Sequence, residues 1–350
     1  MNELDVFFFA LVPAALLGFF TAIGRLDRLT YFSISIISIS VQSAVIGLRD
    51  PSMGQDTIEY IRLFQGTSQY SGNIEPAFMA LLATLGTIST SAQYFLISYA
   101  LILNGVIFAA YEKIMPTKGL FLFSIFSFTH VYWLIHIQTM RNGLAAALLI
   151  LGIAYFLSNR RFLAFFYAIL GATFHYSMAG VAAALFLFSR FRRFKAKSLL
   201  FGFAGAIIAI YLAIAVLPTL SAFSAWEARL TAYAYYNETT FRGASIGFQH
   251  IFLVLIIMIF LVRYRQLTPI QINLFLVYFF ITAISFAFWQ NILFRDRLFL
   301  PAQILEPVLL YFAFTGQHIN RILGALLMLL FGIFWSIMVI YIWGPNNIMS

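Results

Sequence analysis

The sequence predicts an all-α polytopic integral membrane protein with about 10–12 transmembrane helices. Apolar runs recur from Val6 to Ile342, too many for a single anchor. Hydrophobic residues make up 62% of the 350 positions and charged residues only 9%, where a soluble domain carries about 25% charged residues. Mean hydropathy is +0.92.

Taken in order, the spans fall near 6–24, 31–48, 92–112, 119–135, 142–158, 199–217, 246–262, 270–290, 298–316 and 322–342. The first lacks the basic flank and small-residue cleavage site of a secretory leader. Segments 162–174 and 176–189 are shorter than the roughly 20 residues a perpendicular crossing needs, so they read as a candidate re-entrant pair. Its tip carries Thr173, His175 and Ser177. Segment 76–90 is also short, and a full crossing there would move Lys113 to the wrong side; it reads as a surface or re-entrant helix.

With the N-terminus outside, the inner loops collect fourteen of the 21 basic residues, including Arg25, Arg28, Lys113, Lys118, Arg160 and Arg161, against only Asp27 and Glu112. The formal charge of +9 therefore reads as membrane orientation, and nucleic acid is not expected as a partner. No cysteine is present, which removes disulfides and thiolate-bound metal. No P-loop, dinucleotide fingerprint, GxSxG elbow or HExxH spacing occurs, and no cofactor or metal is expected.

Polarity gathers instead at the outer ends. The stretch GLRDPSMGQDTIEYIRLFQ, followed by EPAF, supplies Arg49, Asp50, Asp56, Glu59, Arg62 and Glu75; Pro51 and Gly54 predict a turn, and Asp56 is a candidate cap for a short helix. HIQTMRNG places Gln138, Arg141 and Asn142 at the mouth of an Ala-rich span. A cation in a first helical turn opposes the macrodipole. Snorkelling to headgroups accounts for it, and so does binding a phosphate group, which suits the guanidinium fork. Residues 221–245 carry Arg229, Tyr233, Tyr235 and Tyr236, an interfacial aromatic belt or a sugar-stacking surface. FRDRLF sets Arg295, Asp296 and Arg297 between two spans, and Glu306 is an acid inside an apolar one.

Four of these pieces, GLRDPSMGQDTIEY (47–60), EPAF (75–78), QTMRNGLAAALL (138–149) and ATFHYS (172–177), stand in the order found in the EpsG/Wzy-like polysaccharide polymerases, which this sequence resembles over at least residues 45–190. The resemblance implies one transmembrane polymerase domain over 1–350 with an outward-facing catalytic cavity covered by loops 49–75 and 221–245. It implies a metal-independent glycosyltransferase of the bacterial inner membrane, extending O-antigen, capsule or exopolysaccharide on the outer face. Donor and acceptor would be polyprenyl-diphosphate-linked oligosaccharides, with membrane lipid, a chain-length regulator and a flippase as further partners. In that setting Arg141, His175, Arg49, Asp50 and Asp56 are the catalytic candidates. Arg62, Glu75, Gln138, Asn142, Tyr176, Arg229, Tyr233, Arg295 and Arg297 are the candidates for holding substrate. A lipid-linked oligosaccharide flippase and a polysaccharide ligase are the competing expectations.

Overall fold

The computed structural model describes residues 3–24, 26–68, 74–188, 208, 248–288, 292–315 and 320–338, and all of its regular structure there is helical. The chain groups into two compact units, Met1–Ala179 with Glu306–Ser350, and Gly180–Leu305. Span 199–217 and loop 221–245 lie outside the described residues, as do Arg229 and Tyr233.

The first unit begins with α1 (Glu3–Ile23), α2 (Arg28–Gly47), α3 (Gln55–Phe64), α4 (Pro76–Gly86) and α5 (Ala92–Ile114). It continues through α6 (Gly119–Ser127), α7 (His130–Ile137), α8 (Met140–Leu157) and α9 (Arg161–Phe174), which leads into α10 (Ser177–Phe188). Later come α11 (Phe248–Arg263), α12 (Pro269–Ala287), α13 (Ile292–Phe314) and α14 (Arg321–Met338). Among the described residues five helices are long and apolar enough to cross a bilayer, or six if α6 and α7 form one bent span, which makes this a multi-pass membrane protein. The segments expected to be short are short: α4 has 11 residues and α9 has 14.

α2 packs on α5, α5 on α8, and α8 on α9, so the middle of the unit is built around the Ala-rich stretch of α8. Ala145, Ala146 and Ala147 are fully buried. Small residues let two backbones approach where lipid supplies no hydrophobic drive: a Cβ added at Gly171 would stand 2.8 Å from the Ala145 carbonyl oxygen, and one at Gly152 3.0 Å from that of Ala164.

Two ends of this unit have different chemistry. At the end where α2 starts and α5 stops, Tyr31 donates to Glu112 at 2.5 Å, and Glu112 accepts the backbone N–H groups of Thr117 (2.9 Å) and Gly119 (3.3 Å). That carboxylate satisfies donors at the start of α6, where they have no intrahelical partner. Lys118 donates to the Ala22 carbonyl, and Lys113 lies over the Tyr155 ring.

Nine residues into α6 the expected span 119–135 is broken. α6 and α7 meet at 79°, because Thr129 caps α7 with its hydroxyl, accepting from Tyr132 N at 3.4 Å. A second break, between Ile137 and Met140, is held from outside. Arg49 donates to the carbonyls of Ile46 (2.9 Å) and His136 (2.6 Å), Thr57 donates to that of Ile137, and Tyr99 to those of Met140 (2.6 Å) and Ile135 (3.2 Å).

Two further local expectations are corrected. Asp56 does not cap α3; it is the second residue of that helix, and Gly54 is the cap. Gly54 has φ +85°, and a Cβ there would stand against Ile137 Cγ2 and 3.0 Å from the Ile137 carbonyl oxygen. Only glycine meets both conditions. FRDRLF does not join two spans but lies near the start of α13, where Arg295 is buried and pairs through Nε with Asp296 at 2.9 Å. In the second unit α12 opens with a Thr268–Gln271 capping box and Pro269, and Phe260 of α11 stacks on Phe275 with centroids 5.2 Å apart.

Gly54 and Gly66 both have positive φ, but Gly66 (φ +69°) has open space where a Cβ would go. Gly66→Ala is expected to cost about 1 kcal/mol of backbone strain. Gly54→Ala adds the collision with Ile137 and is expected to cost several-fold more, read as a larger fall in the thermal melting point of purified protein in detergent. Equal shifts would contradict the packing of Gly54 on Ile137.

Candidate functional site

The second break decides where Arg141 goes. Because α8 starts only at Met140, Arg141 occupies its first turn, where unsatisfied N–H groups already make the surroundings electropositive. The conflict is relieved by Glu75, whose Oε2 accepts from Arg141 Nη1 at 2.6 Å. Glu75 is the N-cap residue of α4 yet makes no side-chain capping bond to that helix; its carboxylate is directed at Arg141 instead. It is buried, and the pair is among the closest ionic contacts of the described residues.

Three further elements reach the pair. Tyr60, on α3, accepts from Arg141 Nε at 3.4 Å, and the guanidinium lies 5.7 Å from its ring centroid. Tyr60 is held in turn by Phe78 of α4, edge-on at 5.4 Å. His175, between α9 and α10, brings Nδ1 to 3.9 Å from Glu75 Oε1. Ser177 opens α10; its Oγ lies 2.9 Å from His175 Nδ1 and its backbone N–H donates to the same nitrogen at 3.3 Å. Asn142, buried one residue beyond Arg141, accepts from Ser177 Oγ at 3.5 Å. Four separate parts of the chain thus converge on one cluster of a guanidinium, a carboxylate, an imidazole, a phenol and two small polar groups.

Of the residues singled out from the sequence, Arg141, Glu75, His175 and Asn142 come together here. Arg49 belongs to the same end of the unit but is a separate group. It is 3% exposed, and its described partners are two carbonyls and the Thr57 hydroxyl at 3.4 Å. Burial lowers its pKa to about 10 against the pull of the Tyr99 and Tyr132 phenols, so it remains a cation at neutral pH. Gln93 fixes its backbone by donating to the Arg49 carbonyl at 3.1 Å.

The others are placed differently. Asp50 is exposed and accepts from Ser52 through both the backbone N–H (2.8 Å) and the hydroxyl (2.7 Å), which hold its carboxyl below the usual range. Asp56 is exposed on the first turn of α3, and Arg62 is exposed and pairs with Glu59 on its own helix at 3.6 Å. Gln138 is half-buried at the end of α7, and Tyr176 is exposed beside His175. Arg295 and Arg297 are in the second unit.

Tyr60 and Ser177 are site residues that spacing did not single out. Tyr60 ends the GQDTIEY stretch and Ser177 ends ATFHYS, so both stood inside recognisable motifs. What was missing was the fold that brings α3 and α10 to one point.

No group of three or more His, Asp or Glu side chains suited to a metal ion occurs among the described residues. Searches of curated proteins and of solved structures returned no match. A model of the EpsG family matches residues 29–347, nearly the whole chain and all of the elements that build the cluster. The chain is therefore a multi-pass membrane protein that belongs to the EpsG family.

Proposed function

We propose that this protein polymerises polyprenyl-diphosphate-linked oligosaccharide repeat units on the outer face of the bacterial inner membrane, making O-antigen, capsular or exopolysaccharide. Membership of the EpsG family and the multi-pass membrane fold support a membrane-associated role in glycan processing. The observation that carries the finer reading is the Arg141–Glu75 pair at an interrupted helix start, ringed by Tyr60, His175, Ser177 and Asn142.

The chemistry comes from those groups. When a sugar leaves a lipid diphosphate, negative charge develops on the phosphate oxygens, and a fixed guanidinium in a water-poor site stabilises it. Arg141 is suited to this: it sits beside free N–H groups of a helix start, it is half-buried, and among the described residues a single carboxylate is paired with it. A diphosphate arriving at Arg141 takes the place of Glu75 Oε2 or shares the guanidinium with it. The attacking sugar hydroxyl must lose a proton, and Glu75 and His175 are the acceptors the cluster offers. Arg49 holds the backbone that places Arg141, and Tyr176 and Gln138 stand where a sugar could reach them.

Orientation rests on the two ends of the first unit. Lys113, Lys118, Arg160 and Arg161 stand at helix ends opposite the one that carries the cluster, and the positive-inside rule supports a cytoplasmic side there. The full count of 10–12 crossings, a cavity opening outward, and docking of a flippase and a chain-length regulator belong to the same proposal. The glycosyl transfer needs no metal in this account, because Arg141 supplies the positive charge.

Because the chain has no cysteine, single substitutions report side directly. Tyr176→Cys is expected to react with a membrane-impermeant maleimide in spheroplasts, and Arg160→Cys only after permeabilisation; the reverse pattern would place the cluster in the cytoplasm. In a reconstituted assay with the cognate lipid-linked repeat unit, wild-type protein should produce a ladder of repeat-unit multiples. Arg141→Ala should lower its rate by about 100-fold or more, and Arg141→Lys should recover only part, since the charge returns without the fork. Movement of intact donor between leaflets without any ladder would make the cluster a transport site, and a single transfer to a different acceptor would make it a ligase.

A further inference from the structure

α9 joins two ends of different chemistry. It starts at Arg161, with Arg160 as its N-cap residue, and both side chains are exposed; it stops at Phe174, next to His175 of the cluster. Ala164, Ala168 and Gly171 form its buried side and meet α8. Phe162, Phe166 and Ile169, spaced i, i+4 and i+7, form an exposed apolar stripe on the other side, and Tyr176 just beyond the helix is exposed as well.

The basic turn before α9 is level with the end of α5. Lys113 stands 5.2 Å from the Tyr155 ring centroid, Tyr155 stacks on Tyr167 of α9, and the Tyr155 carbonyl accepts the Arg160 N–H at 3.0 Å. From that level α5 has 23 residues and α9 only 14, which gives rises of about 34 Å and about 21 Å. α8 sets Arg141 about 24 Å from its last residue. The hydrocarbon layer is about 30 Å thick, so α5 crosses it while the Arg141–Glu75 pair stops about 6–9 Å short of the outer boundary. Tilt of α8 or α9 only deepens the pair. A lipid whose phosphates meet Arg141 therefore sits lower in the membrane than its neighbours. A polyprenyl diphosphate can descend in this way because hydrocarbon follows directly on its phosphates; a glycerophospholipid would drag its ester groups off the interface, which is costly.

We propose that the exposed stripe of α9 is the seat of the donor's polyprenyl chain. The lipid enters sideways from the bilayer, its diphosphate is drawn down to Arg141, and its chain passes Tyr176 and lies against Ile169, Phe166 and Phe162 toward the inner face. This deepens the polymerase reading and rests on it for the identity of the lipid. Charge complementarity with the guanidinium fixes one end of the chain, and the stripe gives the rest a path the length of α9. α2 also presents an apolar face, with Ile36 exposed, but it carries no member of the cluster and takes bulk lipid.

Because the chain has no cysteine, a photoactivatable benzophenone maleimide can be attached to Ile169→Cys and, for comparison, to Ile36→Cys. Both positions are exposed and stand eight residues, about 12 Å, from the arginine that starts their helix, so bulk lipid reaches them at the same depth. The two proteins, matched in melting point, are irradiated in phospholipid nanodiscs that hold radiolabelled, sugar-free polyprenyl diphosphate. Several-fold more adduct is expected on Ile169→Cys than on Ile36→Cys. Excess unlabelled polyprenyl diphosphate should suppress it, the same excess of polyprenyl alcohol should not, and adding Arg141→Ala should lower it to the level of Ile36→Cys. Equal, unsuppressed labelling of the two positions is bulk-lipid contact only and overturns the proposal; so does strong labelling that survives Arg141→Ala. The labelling needs no turnover, so the two readings fail separately. A wild type without a ladder but with the expected labelling overturns the polymerase reading and leaves α9 as the seat of a lipid diphosphate. A ladder with equal labelling overturns the seat and leaves the polymerase.

Discussion

The placement of every group in the cluster depends on how the chain is interrupted between α7 and α8. A helical ladder opened inside packed protein cannot turn to water, so each freed carbonyl needs a partner from the protein itself. Here the carbonyls of Ile135, His136 and Ile137, in the last turn of α7, are met by Tyr99, Arg49 and Thr57. A buried cation with no described carboxylate partner is costly on its own account. Its place is understandable only because several carbonyl dipoles face it, and because they could not otherwise be satisfied. Arg49 and the break therefore stabilise each other, and Arg141, one turn later, is aimed at Glu75 as a consequence.

The same region carries buried polar atoms without a protein partner, among them Arg49 Nε, His136 Nε2, Asn104 Oδ1 and both side-chain atoms of Gln42. Around them a connected set of bonds runs from Ser43 through Asn104 (2.9 Å) to Tyr132 (3.3 Å), and His136 Nδ1 contacts the Tyr132 carbonyl at 2.6 Å. A mixture of donors and acceptors of this kind is the environment in which ordered water is found inside proteins. The interior behind the cluster is thus polar along α2, α5 and α7, while the outer faces of α1, α2 and α9 present apolar side chains such as Phe20, Ile36 and Phe162. That division is expected of helices that meet one another on one side and lipid on the other.

The apolar periodicity made the membrane fold and most helix positions legible, since α2, α5, α8 and α12 begin and end within a few residues of the expected spans. Arg141 was legible too, because a cation in a first turn contradicts the helix dipole and asks for an explanation. Its partner was not. Glu75 lies 66 residues away, and no local rule ranks it above Asp50, Asp56 or Glu59; the structure separates them, with Glu75 buried, Asp50 and Glu59 bonded to Ser52 and Arg62 nearby, and Asp56 exposed. The α6–α7 break had a signal that hydropathy hid: a threonine at position 129, able to cap the next helix, inside a run apolar enough to read as one span. Ser177 could not be read as a partner of His175 until its backbone N–H was seen to point at Nδ1.

The role of the whole cluster turns on what Arg141 binds. The most direct measurement is a cryo-EM structure of the protein in lipid nanodiscs with a sugar-free polyprenyl diphosphate added. A phosphate oxygen within hydrogen-bond distance of the Arg141 guanidinium, with Glu75 displaced from it or sharing it, is the predicted result. Diphosphate bound elsewhere, with the 2.6 Å Arg141–Glu75 contact unchanged, would contradict the account.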